Sequence, residues 1–328
     1  MIHQIKRKKY ILLLFAALLV IALSSCSSRS SLPDPSSGKL RIVTTIFPAY
    51  DWVLNVLGDD PSQAETTLLL DKGIDLHNFQ PTAADMLQIS SCDLFIYVGG
   101  ASDVWAEDAL KEAVNPDMIV IDLLSVLGDQ AKEEEAIDGM QEEEEAEDGI
   151  EYDEHVWLSL KNAARFVRTI AASLSSLDPA HASVYEANAA AYIDKLNALD
   201  LSYRTTVENA ARKTILFGDR FPFRYLTDDY GLTYFAAFAG CSAETEASFE
   251  TISFLSQKVD ELQLPAVLTI EGTDPRIAET IIQNTDAKNQ KILVLDSMQT
   301  TSKKDLDNGS SYLSVMEQNL SVLKEALQ

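Results

Sequence analysis

Two histidines lie in short segments whose position in the chain favours metal binding. His77 follows a predicted strand, and His155 lies where an acidic stretch gives way to a predicted helix. Neutral imidazole is a common ligand of transition metals, and carboxylates complete many such sites. In an α/β protein the loops at the carboxyl ends of the strands form the ligand crevice. His77 and His155 are therefore the first candidates for metal ligands.

Three acidic residues in the second half of the chain occupy equivalent positions. Asp219, Glu271 and Asp296 each come soon after a predicted strand. Carboxylates at such positions often cap helices or form salt bridges, so each of them alone is a weak signal of metal binding. The remaining histidine beyond the N-terminal segment, His181, falls in the first turn of a long predicted helix, and we expect it to be a surface residue.

Short apolar strands alternate with helical patterns along the chain, and this alternation predicts an α/β fold. Strands are predicted over 40–46, 66–70, 94–98, 118–122, 214–217, 234–238, 266–270 and 291–295. Helices are predicted over 50–57, 82–90, 105–113, 223–230, 249–262, 275–284 and from 312. Because buried strands that alternate with helices form parallel sheets, we expect two lobes, each a mainly parallel sheet flanked by helices.

One long helix is predicted to join the two lobes. Asp178-Pro179 offers an N-cap followed by a proline at the first helical position. Apolar residues then recur at helical spacing at Tyr185, Ala189, Tyr192, Leu196, Leu199, Tyr203 and Val207. A helix over 179–212 would be about 50 Å long and would rigidly connect an N-terminal lobe, 40–178, to a C-terminal lobe, 213–328.

The N-terminus has the pattern of an export signal. Four basic residues at 6–9 precede an almost wholly apolar run, 10–23, which is shorter than the roughly 20 residues of a transmembrane helix. The sequence Leu23-Ser24-Ser25-Cys26 resembles a bacterial lipobox, so we expect a signal peptide over 1–25 and acylation of Cys26. Residues 26–39 are rich in Ser, Pro and Gly and predict a flexible tether. The protein would then be anchored by lipid on the outer face of the bacterial cytoplasmic membrane.

The charge of the chain is strongly acidic and unevenly distributed. Its 328 residues include 26 Lys and Arg against 51 Asp and Glu, a net charge of -25, which excludes nucleic acid as a partner. Residues 132–154 hold 13 of the acids and one lysine, with a near-duplication in EEEAIDGMQ and EEEAEDGIE. We interpret this segment as a mobile acidic loop of the first lobe, either a solvated linker or a weak attractor of cations.

From Leu40 to its C-terminus the sequence resembles the metal-binding lipoproteins of ABC importers for zinc and manganese. The segments that carry the resemblance are 40–51, 73–81, YDEHVWLSLKNA at 152–163, 178–196 and LVLD at 293–296. The resemblance implies that His77, His155 and Asp296 are metal ligands. It also implies a transported divalent ion, with zinc favoured and manganese the alternative, and a monomer that serves an ABC permease and its ATPase.

One ligand position departs from the family pattern. Ten residues before Tyr230, where the family usually has His or Glu, this chain has Arg220, which stays protonated and offers no acceptor. Asp219, Cys241 or Glu244 would then supply the fourth ligand. A thiolate at Cys241 would favour zinc over manganese, whereas a buried, inert thiol is its other interpretation. Arg220 itself would form a salt bridge with Asp219, Glu271 or Glu244, or contact an anion in the cleft.

These features favour a binding protein, which needs no catalytic residue. Two alternatives remain open at this point. One is a helix-linked binding protein for an organic or chelated-metal ligand, to which Arg220 and Arg224 would contribute. The other is a surface adhesin in which the metal is structural. An enzyme is disfavoured because the sequence contains no G-x-S-x-G, H-E-x-x-H or P-loop motif.

Overall fold

A computed structural model describes residues 38–58, 63–141, 151–241 and 246–328 of the chain. Residues 39–328 form one compact unit that contains both lobes. The expected signal peptide, Cys26, most of the tether, Glu142 to Glu145 and Glu244 lie outside the described residues. Within these ranges, no helix combines the length and the apolar content that crossing a membrane requires.

The first lobe is built on a four-stranded parallel sheet. Its strands are β1 (Leu40–Thr44), β2 (Ala64–Leu68), β3 (Leu94–Tyr97) and β4 (Ile119–Asp122), in the order β2-β1-β3-β4. Its helices are α1 (Phe47–Leu57), α2 (Ala83–Ser91), α3 (Val104–Lys111) and α4 (Leu123–Leu127). Ile42 and Val43 of the central strand β1 are both buried, as expected of a strand covered on both faces. Thr82 and Asp85 form a capping box that starts α2.

The second lobe repeats this architecture. Its strands are β5 (Thr214–Arg220), β6 (Thr233–Phe238), β7 (Ala266–Ile270) and β8 (Lys291–Leu295), all parallel, in the order β6-β5-β7-β8. Before it come α5 (Leu160–Leu177) and α6 (Ala182–Glu208), and its own helices are α7 (Arg224–Tyr230), α8 (Phe249–Leu262), α9 (Arg276–Gln283), α10 (Lys303–Asp307) and α11 (Tyr312–Ala326). The predicted fold class is confirmed.

The long helix contacts both lobes but is shorter than predicted. It has 27 residues, or about 40 Å of length. It starts at Ala182 because Asp178 does not cap it: the Asp178 carboxylate instead pairs with His181 and accepts a hydrogen bond from the Tyr185 hydroxyl. Along α6, Tyr192 donates to Asp51 of the first lobe and Tyr203 donates to the Met316 carbonyl of α11. One rigid element thus connects the two sheets.

The described part of the acidic segment crosses from the first lobe to the second, contrary to the mobile surface loop that the composition predicted. We call residues 132–141 and 151–154 the strap. Its two arms pair with each other, since Glu134 N donates to the Glu151 carbonyl and Asp153 N to the Lys132 carbonyl. An antiparallel bridge joins Glu133 to Tyr152. These backbone bonds give the segment an ordered base that a purely compositional argument cannot foresee.

Ion pairs and backbone bonds attach the strap to the second lobe. Lys132 Nζ lies 2.5 Å from Asp228, and Glu135 lies 2.5 Å from the Arg224 guanidinium. Gln141 N donates to the Ala237 carbonyl of the edge strand β6. On another part of the cleft, Lys303 N donates to the Asp71 carbonyl. Loops of both lobes therefore meet around the cleft.

Candidate metal centre

His77 lies in a short 3₁₀ turn, Leu76–Asn78, that follows β2. The turn is capped by Asp75, whose Oδ1 accepts from His77 N at 3.1 Å. On the ring, Nδ1 lies 2.6 Å from Ser102 Oγ and 3.6 Å from Glu154 Oε2. These contacts orient the ring so that Nε2 faces the cleft.

His155 is completely buried at the end of the strap, just before a 3₁₀ turn, Val156–Leu158. Asp153 Oδ1 accepts from His155 N at 2.8 Å and lies 3.1 Å from His155 Nδ1. A carboxylate on Nδ1 fixes the tautomer and leaves the lone pair on Nε2 for a metal. His155 Nε2 and His77 Nε2 are 3.3 Å apart, so the two nitrogens that could coordinate a metal converge on one point.

The charge state of this pair follows from its surroundings. Burial, and then the neighbouring His155, lower the pKa of His77 to about 4. Burial also lowers the pKa of His155, but the carboxylates of Asp153, Glu154 and Glu134 outweigh it, so that its pKa is raised. His155 therefore binds a proton more tightly than His77 does. A metal ion must displace any proton from the coordinating nitrogens to bind, because only neutral imidazole coordinates.

Cys241 approaches the two rings from the second lobe. It follows β6 after Ala239 and Gly240, and its backbone N–H donates to Glu134 Oε1 at 2.9 Å. Gly240 permits the approach, since a Cβ there would lie 3.2 Å from His155 Cε1 and 2.9 Å from the Phe221 carbonyl oxygen. Burial, and then nearby carboxylates, raise the pKa of the thiol well above its usual range. The thiol is thus protonated until a cation arrives.

His77, His155 and Cys241 form a group whose ligand atoms all lie within 4.8 Å of one another. Among the described residues no other set of His, Cys, Asp or Glu meets this criterion. Two imidazoles and one thiol are the ligand types that zinc binds in tetrahedral sites. Of the three fourth-ligand candidates, the structure brings Cys241 to the histidines.

The other predicted carboxylates have different partners. Asp296 Oδ1 accepts from Met298 N, and the residue lies outside the group formed by the two histidines and Cys241. Glu271 accepts from Ser297 N and from Gln299 N, so it shapes the loop after β8 rather than lining the cleft. Burial, and then the charge of Asp296, raise the pKa of Glu271 to about 7. Both acids support the loop that precedes α10.

That loop carries a residue that the sequence did not single out. Gln299 is buried, and in the amide orientation that its neighbours favour its nitrogen donates to both Asp75 oxygens, at 3.2 and 3.3 Å. Its oxygen then lies 3.3 Å from His155 Nε2. A glutamine four residues after a strand carries no metal-binding signal in a sequence. Its importance follows only from the path of the loop.

Arg220 forms an ion pair across the cleft with Asp75, a partner that the sequence did not suggest. Its Nη2 lies 2.9 Å from Asp75 Oδ2. Asp219 is buried and accepts from Ile270 N and from Thr273 Oγ1, which ties β5 to the end of β7. Both residues belong to β5, which extends three residues beyond its predicted end with a register shift after Phe217. Neither is a member of the group formed by the two histidines and Cys241.

Curated proteins with related sequences provide an independent comparison. The chain is 32% identical over 321 residues to the zinc-binding lipoprotein AdcA of Streptococcus pneumoniae, which covers 97% of this chain and 61% of AdcA. It is 30% identical over 318 residues to the high-affinity zinc uptake system protein ZnuA of Bacillus subtilis, which covers 95% of each. The chain therefore spans about three fifths of AdcA and nearly all of ZnuA.

Solved structures and a family description agree with these matches. The Zn(II)-bound ZnuA-like domain of S. pneumoniae AdcA superposes with a TM-score of 0.69 at 30% identity, over 88% of this chain and 99% of that domain. The metal-dependent lipoprotein YcdH of B. subtilis gives a TM-score of 0.71 at 28% identity, over 88% and 100%. The family described as ZnuA, zinc-uptake complex component A periplasmic, matches residues 42–326. The chain belongs to the ZnuA family.

Proposed function

We propose that this protein is the lipid-anchored substrate-binding protein of an ABC importer, and that it captures a divalent transition metal between its lobes for delivery to a membrane permease. The observation that carries the proposal is the convergence of His77, His155 and Cys241, from loops of both lobes, on one point. Acylation at Cys26 would hold the protein at the outer face of the membrane. No catalytic residue is required.

The ligand types favour zinc over manganese as the cargo. Nitrogen and sulfur ligands suit zinc, whereas manganese prefers carboxylate, carbonyl and water oxygens. The names of the relatives, a zinc-binding lipoprotein and a zinc uptake protein, support the same cargo for this chain. With three protein ligands, the fourth position would be taken by water or by the amide oxygen of Gln299, which lies beside His155.

The organic-ligand alternative receives no support from the cleft. It depended on Arg220 and Arg224 as contacts for an anionic group. Both guanidinium groups are engaged in ion pairs, with Asp75 and with Glu135. A bare metal ion therefore fits the observed arrangement better than an anionic chelate does.

Zinc titration of the metal-free protein tests the proposal. We expect one zinc ion per chain in competition with a chromophoric chelator, and loss of that binding in the His77→Ala, His155→Ala double variant. Cys241→Ser should weaken zinc binding by at least about 100-fold, or roughly 2.7 kcal/mol, because a hydroxyl does not ionise as a thiol does. Unchanged affinity in the double variant would contradict the proposal.

His181→Ala is the matched control. His181 pairs with Asp178 at the start of α6, far along the chain from the metal centre. This variant removes a histidine side chain, as each substitution of the double variant does. We expect full zinc affinity in this variant. Elemental analysis of protein purified without added metal provides a second measurement, with zinc expected in the native chain and in His181→Ala but absent from the double variant.

A further inference from the structure

Arg220 contacts the first lobe from the second lobe although it cannot bind a metal ion itself. It is the last residue of β5, and its Nη2 lies 2.9 Å from Oδ2 of Asp75, which begins the turn that carries His77. The two side chains are largely buried, with exposed fractions of 17% and 9%. Separating them would leave a buried carboxylate without its cation, which is strongly unfavourable. The pair therefore links the two lobes at a fixed place.

The Asp75 carboxylate connects this link to the backbone of His77. Its Oδ1 accepts a hydrogen bond from His77 N at 3.1 Å, so one oxygen holds the His77 turn while the other holds Arg220. These contacts use neither the His77 ring nor the Cys241 thiol. The His77 turn is therefore attached to the second lobe by contacts that do not require a bound ion.

The same carboxylate is also in contact with the loop that follows β8. The Gln299 amide nitrogen donates to both Asp75 oxygens, at 3.2 and 3.3 Å, and its oxygen lies 3.3 Å from His155 Nε2. Asp75 thus connects three parts of the metal centre, namely the His77 turn, the end of β5 and the loop that carries Gln299.

The segment that leads to His77 also packs against the second lobe at its beginning. An antiparallel bridge joins Lys72 to Ser302. Gly73 follows with a φ of +69°, and a Cβ there would lie 3.1 Å from the Thr300 carbonyl oxygen, so a glycine suits both the conformation and the close approach. This bridge holds one end of the segment, and Arg220 holds the other through Asp75.

We propose that Arg220 is a positioning residue of the metal centre, which through Asp75 holds the His77 turn against the second lobe before an ion binds. The ion then meets His77, His155 and Cys241 already gathered and does not have to draw the lobes together. Ligands that are fixed in advance lose less conformational entropy on binding, which raises affinity. The inference rests on the proposed metal-binding function.

Hydrogen–deuterium exchange of the full chain, resolved by peptide, tests the positioning role. After zinc is removed with a chelator, we expect residues 71–79 of the native chain to stay protected. In Arg220→Met, exchange in this segment should become faster by about tenfold or more, because local opening is no longer opposed by the ion pair. Added zinc should restore protection in 71–79, because the ion then links the lobes. Zinc affinity, measured by chelator competition, should fall by about 10- to 100-fold.

The location of the effect separates positioning from a general loss of stability. Helix α5 serves as an internal reference and should stay protected on the same time scale. Arg220→Lys retains a cation beside Asp75 and should keep most of the native protection and affinity. Arg224→Met is the matched control, since Arg224 has a similar exposed fraction, 19%, and pairs with Glu135, so exchange in 71–79 should not change.

Arg220→Gln covers the case in which Arg220→Met does not fold. It keeps a hydrogen-bond donor but removes the charge, and we expect the same direction of change in 71–79. Native exchange in this segment of the neutral variant would overturn the positioning role, and so would equal acceleration in α5.

The two proposals fail separately. If the native chain binds zinc but neither neutral variant alters exchange in 71–79, the positioning role is refuted and the metal centre stands. If the native chain binds no zinc, the proposed function is refuted, and exchange of the zinc-free variants still decides whether Arg220 holds the His77 turn.

Discussion

Asp153→Asn should weaken zinc binding without removing any ligand. Asp153 Oδ1 contacts both His155 N and His155 Nδ1, and its side chain is 3% exposed, so the contact is a buried, charge-assisted one. Loss of a carboxylate that orients a metal-binding histidine typically lowers metal affinity by about 10- to 100-fold. This range corresponds to about 1.4 to 2.7 kcal/mol. Asparagine keeps an oxygen for the His155 backbone, so the loop should keep its path.

The effect should depend on pH in a defined direction. Asp153 helps to raise the pKa of His155, and zinc must displace the proton that results. Without this carboxylate the pKa of His155 loses the largest of the contributions that raise it and falls, so protons compete less with zinc at acidic pH. The loss of affinity should therefore be larger at pH 8, where protons compete less with zinc for the native ring, than at pH 6.

Chelator competition at both pH values measures this difference. Asp138→Asn, at an exposed position of the strap, makes the same charge change and should leave affinity unchanged. Native-like affinity of Asp153→Asn at pH 8 would refute the idea that Asp153 orients His155. An equal loss at both pH values would refute the proposed proton competition.

Three further predictions concern other contacts. Gly240→Ala should destabilise the fold by about 1 to 3 kcal/mol in urea unfolding and weaken zinc binding in chelator competition. The reason is that the added Cβ would contact His155 and the Phe221 carbonyl. Arg220→Met should lower the free energy of unfolding by about 3 kcal/mol, because it leaves the Asp75 carboxylate without its cation. Adding Asp75→Asn in that background should restore part of this loss. Additive effects in the double-mutant cycle would contradict the pairing. Burial raises the pKa of Asp51 to about 6, so this carboxyl binds a proton more tightly in the folded state than in the unfolded one. The free energy of unfolding of the native chain, relative to that of Asp51→Asn, should therefore fall by up to about 3 kcal/mol from pH 4 to pH 7 in urea unfolding.

The secondary structure was largely predictable from the sequence, because apolar periodicity and helix caps are local. The predicted bounds of β7, β8 and α8 match the structure, and Tyr312 begins the last helix as predicted. The start of α6 was wrong by three residues because Asp178 turns its carboxylate to His181 and Tyr185 instead of capping the helix. A side-chain choice of this kind depends on neighbours that periodicity does not contain.

The metal centre was predictable only in part, for a related reason. Residue type and the family resemblance pointed to His77 and His155, and Cys241 was one of three candidates for a further ligand. Asp296 satisfied the sequence pattern, yet the loop after β8 turns it to its own backbone and brings Gln299 to His155 instead. The strap shows the same limit, because its composition indicated disorder whereas Lys132 and Glu135 bind the second lobe.

The placement of the ligands makes the centre a mechanical coupling as well as a binding site. Two imidazoles belong to loops of the first lobe and the thiol of Cys241 belongs to the second, so a bound ion cross-links the two bodies. The coupling is reciprocal: if a bound ion stabilises the contact between the lobes, then separating the lobes weakens the binding of the ion by the same free energy. A permease that bound both lobes and moved them apart would thus release the metal ion without any chemical step at the site.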